Sequence, residues 1–173
     1  MAEKNIPDKM TMCNIYKGGN RMVGVSDEIT LPGYELEAEE IRGFGILGGI
    51  NSPSPVNIGS MEQEITMRMM DGDTFDAMGE GDAVDFTIRG GMQRMTGTGS
   101  IEEVGARVVE RGYLKSVDFG SMKQGSPMNV TLKYEVTYLM IEVDGVKKVE
   151  IDKLNCVHEI NGKDLLEKAR KYS

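Results

Sequence analysis

Residues 127–166 read PMNVTLKYEVTYLMIEVDGVKKVEIDKLNCVHEINGKDLL, and the period of their side chains decides the fold. Met128, Val130, Leu132, Tyr134, Val136, Tyr138 and Met140 fall on one face of an extended strand. Asn129, Thr131, Lys133, Glu135 and Thr137 fall on the other, because successive side chains of a strand point to opposite faces. From Leu139 onward the second face also turns apolar, through Ile141 and Val143, which predicts cover on both sides of that end. Asp144-Gly145 then separates two strand-like runs. A type I′ turn needs positive φ at both central residues, so this dipeptide predicts a tight antiparallel hairpin. Asn161-Gly162 repeats the signal before a short helical tail. No catalytic motif interrupts the stretch, which reads as scaffold.

The flanking sequence extends the same pattern. Residues 10–16 and 21–25 enclose Lys17-Gly18-Gly19-Asn20, a hairpin turn by composition, and the first strand pair is expected to stop at Pro32-Gly33. Residues 34–60 lack a sustained period; an insertion of that length in a small domain is uncommon and usually functional, and an extended arm or long hairpin is expected there. Met61, Gln63, Ile65, Met67 and Met69 then alternate with Glu62, Glu64, Thr66 and Arg68. Asp71-Gly72-Asp73 opens a short helix closed by Gly79, with acids in its first turn and glycine past its end. Val84, Phe86 and Ile88 mark a strand ended by Gly90-Gly91, and residues 104–119 a longer one with Gly112 as a bulge or close approach. Residues 163–172 are expected to form a terminal helix with Leu165, Leu166 and Ala169 on one side. The count is seven or eight strands. The fold class predicted is mainly β: an antiparallel β-sandwich or barrel with a short internal helix, a C-terminal helical segment and a long extended arm. One domain over 1–173 is expected, with 32–60 protruding.

Composition narrows the function. The 173 residues carry a net charge of −8, against the basic stripes expected of a phosphate-tracking protein. Cys13 and Cys156 stand alone, without the spacing of a zinc site or a disulfide framework. MAEKNIPDKM lacks the apolar core of a signal peptide and no run reaches the length of a membrane span, so an intracellular chain is expected. Glycine (22) suits strands and turns, and methionine (14) suits adaptable contact surfaces.

Apparent motifs fail on context. Gly43-Phe44-Gly45-Ile46-Leu47-Gly48 matches GxGxxG, but a dinucleotide loop must open a helix, and Asn51-Ser52-Pro53-Ser54-Pro55 follows. Asp71, Asp73 and Asp76 do not have calcium-loop spacing. His158 is the sole histidine, so no histidine pair can hold a metal, and no nucleophile motif accompanies it; it reads as a core or surface histidine. Glu35, Glu37, Glu39 and Glu40 read as a solvated edge, or as acids that orient a contact with another subunit. No enzyme, cofactor or metal is expected.

Several blocks in fixed order carry a resemblance: Leu31-Pro32, then Glu40 to Gly48, Val56 and Gly59; Arg107 to Gly112 with Lys123-Gln124-Gly125; and Tyr134, Tyr138, Asp144-Gly145, Val149 to Asp152, Asn155 and Asn161 to Asp164, with Leu166 and Arg170. Together they span about Met12 to Arg170, and in them the chain resembles the major tail tube proteins of contractile-tailed phages and of phage-tail-like particles (tailocins). The resemblance implies a structural subunit that forms hexameric rings, with sheets joined into one barrel, stacked into a tube. Its partners would be further copies of itself, the tail sheath, and baseplate, tape-measure and tail terminator proteins, with DNA only as non-specific cargo. The location implied is the virion tail, assembled in the host cytoplasm. The inter-subunit or inter-ring contact candidates are Glu35, Glu37, Glu39, Glu40, Arg42, Gly43, Phe44, Gly45, Ile46 and Leu47. Lumen-facing candidates are Glu62, Glu64, Glu102, Glu103 and Glu110, since a DNA conduit should repel phosphate. Two other readings stand beside this one: the tube of a non-DNA injection device, tailocin or type VI-like, and a monomeric ligand-binding β-domain.

Overall fold

The computed structural model describes residues 5–172. Residues 1–4, which carry part of the signal-peptide expectation, and Ser173 lie outside the described residues. In chain order the described residues form β1 (Ile6–Lys17), β2 (Asn20–Arg21), β3 (Leu36–Ile41), β4 (Ile50–Ile58), β5 (Glu62–Met67), α1 (Gly72–Met78), β6 (Val84–Met95), β7 (Ile101–Asp118), β8 (Val130–Val143), β9 (Val146–Asp152), β10 (Val157–Ile160), β11 (Lys163–Asp164) and α2 (Glu167–Tyr172). Nine strands make one antiparallel sheet in the order β11-β10-β9-β8-β7-β6-β1-β2, with β5 joined to β8. β3 and β4 make a separate two-stranded sheet. The fold is thus the mainly antiparallel β structure, with short helices, that the alternation predicts.

β8 is the centre of the large sheet. One of its edges pairs with β7 throughout, while the other pairs first with β5 (Glu62↔Glu135 to Met67↔Val130) and then with β9 (Tyr138↔Asp152 to Val143↔Val146). The core lies on one face, where Ile65, Met67, Phe86, Val130, Leu132, Tyr134 and Ile151 are buried. The helix α1 packs there through Ala77, whose carbonyl accepts a 2.7 Å hydrogen bond from Tyr134 Oη. Asp71 caps α1 by accepting from the Thr74 N–H, and Gly79 ends it with φ 69°. Both ends are the ones expected. The two tight turns also have the predicted geometry, with positive φ at Asp144 (53°) and Gly145 (73°), and at Asn161 (50°) and Gly162 (77°).

Four local expectations are corrected. Tyr138 and Met140 do not share the face of Val136. The β7–β8 register passes from Gly112↔Val136 to Arg111↔Tyr138, leaving Thr137 as an extra residue, and one extra residue reverses every following side chain. Leu139 therefore turns inward and is buried. Second, Gly90-Gly91 does not end β6, which continues to Met95 because β1 and β7 pair with it on both sides. A Cβ at Gly90 would lie 2.9 Å from Met12 O, so the glycine admits the irregular part of β1 instead of stopping the strand. Third, the run after Gly145 is two strands: the Asp152 carboxylate accepts from the Leu154 and Asn155 N–H groups at 3.0 Å and folds a turn between them. Fourth, the terminal helix starts only at Glu167, because Lys163 and Asp164 pair with Ile160 and Glu159. Leu166 alone of the expected apolar side is buried. No helix among the described residues is long and apolar enough to cross a membrane.

Candidate assembly surfaces

The first surface is the arm formed by β3 and β4. Its strands pair with each other from Ile41↔Ile50 to Ala38↔Pro53, then slip so that Leu36 faces Ile58. An isolated two-stranded sheet is marginal in water, so the arm depends on its base. There the Gly59 N–H donates to Glu35 O at 2.9 Å, and Lys153 Nζ donates to Gly59 O at 2.7 Å. His158 is buried below it; its Nδ1–H donates to Pro55 O at 3.0 Å and its ring meets Tyr34 edge-on at 5.6 Å. The lone histidine is thus a core residue that holds the arm in place.

Away from the base the arm is exposed. Glu37, Glu39 and Glu40 lie along β3, and Arg42 pairs with Glu40 at 2.7 Å. Gly43 to Ile46 form a turn closed by the Ile46 N–H to Gly43 O bond at 3.2 Å, with Gly45 at φ 88°. Phe44 and Leu47 project from this tip fully exposed, while Ile46 is half-buried. The GxGxxG match is therefore a hairpin tip.

The second surface is the face of the large sheet away from the core. Glu62 and Glu64 point to it from β5, since Gln63, Ile65 and Met67 point inward, and each meets a cation, Lys115 and Lys133 respectively. Those carboxylates raise the pKa of both lysines through side-chain hydrogen bonds. Glu103 is on the same face, in register with Gln93. Glu102 is on the opposite one, paired with Arg94 at 3.0 Å near the end of the β6–β7 hairpin. Glu110 is corrected: it points into the core, at 1% exposure, with neither carboxylate oxygen hydrogen-bonded. Burial pushes its carboxyl up to about 8. It cannot line a water-filled channel.

Reading only the acids missed the cations on this face. Arg89 and Arg107 stand in register on β6 and β7; Arg107 lies 3.9 Å from Glu142, Arg111 binds Asp85 at 2.6 Å, and Arg89 lies over the Tyr16 ring at 5.7 Å. The same alternation that turns Phe86 and Ile88 inward sends Arg89 outward, so the signal was present. The face is charge-matched, not simply acidic.

The third surface is an edge. β1 pairs with β6 along its length, but on its other side only Tyr16 and Lys17 meet β2. Residues 6–14 have no strand on that side among the described residues, and Ile6, Met10 and Met12 are exposed along it. Such an edge is a template for pairing with another chain.

Comparison with known proteins places the chain in a family. The chain is 32% identical over 174 residues to the tail tube protein of Escherichia phage P2, covering 96% of each chain. It is 28% identical over 160 residues to the major tail tube protein of Serratia phage KSP20, covering 92% of this chain and 91% of that one. Among solved structures it is similar to a chain of the six-fold symmetrised anti-feeding prophage baseplate, at 14% identity and a TM-score of 0.42, over 78% of this chain and 91% of that chain. The family profile described as phage tail tube protein FII matches residues 7–172. The chain belongs to that family and is a structural tail tube protein of the phage virion tail.

Proposed function

We propose that the subunits close into hexameric rings, that rings stack into the inner tube of a contractile tail, and that DNA or an effector passes along its lumen. The observation that carries this reading is the unpaired edge of β1 over residues 6–14. A neighbouring subunit's strand placed there would continue the sheet around the ring and remove the edge, as closed barrels do. The head-to-tail contact so formed repeats until the rotation closes. The outward face of the sheet then lines the lumen, presenting Glu62, Glu64 and Glu103 with Arg89, Arg107 and Arg111, and Glu102 sits at the hairpin end. Each paired cation is held by a carboxylate and the chain's net charge is −8, so phosphate meets no unopposed basic stripe and the cargo slides. The arm, from Glu35 through Leu47, carries the contact to the adjacent subunit or ring.

The partners in this reading are the sheath outside the tube, baseplate, tape-measure and terminator proteins at its ends, and the site of assembly is the host cytoplasm. Negative-stain electron microscopy of the purified protein, with its mass by light scattering, tests the reading. Rings or hollow tubes of uniform width are expected. A strictly monomeric protein at high concentration, even with a tube-initiating partner added, would overturn it.

A further inference from the structure

The inner face of the large sheet continues past α1 and past the β5 edge strand. Beyond them it is roofed only by residues 22–31, which are fastened by isolated bridges at Val25↔Met67 and Thr30↔Glu64. Between roof and sheet lies a cavity of about 680 Å³, open to solvent, with Ile88, Val108 and Ile141 on its floor and Met22, Val25 and Ile29 above. Cys13 lines it and is exposed. Asp27 and Glu28 also line it, exposed on the roof segment. An apolar concavity of this size, with a few charges at its mouth, suits an apolar guest.

The same chain carries a matching guest. Phe44 and Leu47 are fully exposed at the arm tip and touch nothing that would keep them from water. Arg42, beside them, is 73% exposed and has Glu40 as its ion-pair partner, so its charge can also meet Asp27 and Glu28. None of residues 42–48 lines the cavity of its own subunit. Six residues of β3 extend about 20 Å, which is the reach of a strap to a neighbour. We propose that the arm tip seats Phe44 and Leu47 in this cavity of a second copy of the chain. The proposal rests on the tube reading and adds to it the receptor for the arm. Arm tip and cavity lie on one chain, so the contact is heterologous and each subunit both gives and receives an arm.

Cross-linking in assembled tubes tests this. The variant Leu47→Cys with Cys156→Ser leaves native Cys13 as the sole other thiol. Oxidation of its tubes with copper phenanthroline is expected to give a ladder of linked multimers, abolished by adding Cys13→Ser and absent in the Cys156→Ser parent. Tubes that form without a Cys13-dependent ladder, or with links only inside single chains, overturn the proposal and leave the tube reading intact. If neither the variants nor the unmodified protein assembles, the tube reading fails and takes this one with it. In a second measurement, Phe44→Ser with Leu47→Ser should raise the concentration needed for assembly about tenfold for each side chain withdrawn from a buried site, with an unchanged melting temperature. An unchanged threshold also overturns the proposal.

Discussion

Glu110 stands in register between Phe86 on β6 and Leu139 on β8, so its carboxyl is enclosed by apolar neighbours. The nearby Tyr134 hydroxyl, itself raised in pKa by burial and then by the Glu110 charge, is committed to the Ala77 carbonyl. A carboxyl raised to about 8 is protonated in the folded state at neutral pH, whereas in the unfolded chain it ionises near 4.5. Its stabilising proton therefore counts fully below about pH 4.5 and is lost as pH rises through 8. Between those limits folding must take up a proton, a burden on the order of a few kcal/mol by pH 8. Urea denaturation of the unassembled subunit should show Glu110→Gln close to the unmodified protein at pH 5 and more stable at pH 8. An equal difference at both pH values would mean that the carboxyl is not the cause. Gly112 offers a second residue-scale test. A Cβ there would lie 2.5 Å from Glu135 O, a fixed backbone atom opposite the Thr137 bulge, whereas one at Gly105 would meet nothing within 4 Å. Gly112→Ala should lose roughly 1–3 kcal/mol by overpacking, and Gly105→Ala should stay within about 0.5 kcal/mol; equal denaturation midpoints would contradict this.

At the scale of elements, the arm and the core should separate experimentally. Ile41 and Ile50 are register partners, so replacing residues 42–49 by Asn-Gly joins them through a two-residue hairpin loop. The base contacts at Tyr34, Pro55 and His158 remain. The shortened protein should keep its thermal midpoint within a few degrees and fail to form tubes in the electron microscope. Normal tubes would remove the arm from the assembly. The elements that sequence predicts well are those whose geometry is set by adjacent residues: the Asp144-Gly145 turn, the α1 caps at Asp71 and Gly79, and the inward set of β5. The errors arise where a distant strand decides. The reversal at Thr137 is invisible in an uninterrupted alternation, because only pairing with Gly112 shows that one residue is extra. The persistence of β6 through Gly90-Gly91 depends on β1 and β7, and the burial of Glu110 depends on the same sheet. A glutamate on an alternating strand looks solvated until its neighbours' faces are known. The arm was legible as an insertion without period and its residues 43–47 as contact candidates, but that Phe44 and Leu47 project fully exposed while Ile46 is half-buried depends on the Gly43–Ile46 turn, which no sequence period marks.

For the whole molecule, the open edge of β1 is where the proposed assembly would join one subunit to the next. In the free subunit, the amides of residues 6–14 that point away from β6 have no partner strand among the described residues, and such groups exchange with solvent readily. If assembly adds a strand there, those amides gain backbone hydrogen bonds and slow down, because unpaired N–H groups must find partners once buried. Hydrogen–deuterium exchange of subunits and of assembled tubes distinguishes this from stacking through side chains alone. The peptide spanning residues 6–15 should gain protection in tubes, in alternate amides where single-residue resolution is reached. The peptide spanning α1, which is held within the subunit by its caps and by Tyr134 Oη donating to Ala77 O, should change little. Protection confined to residues 36–58, with residues 6–15 exchanging as fast in tubes as in subunits, would show that the arm holds copies together while the sheets stay separate. The sheets of neighbouring subunits would then remain unjoined, and the edge of β1 would need another explanation.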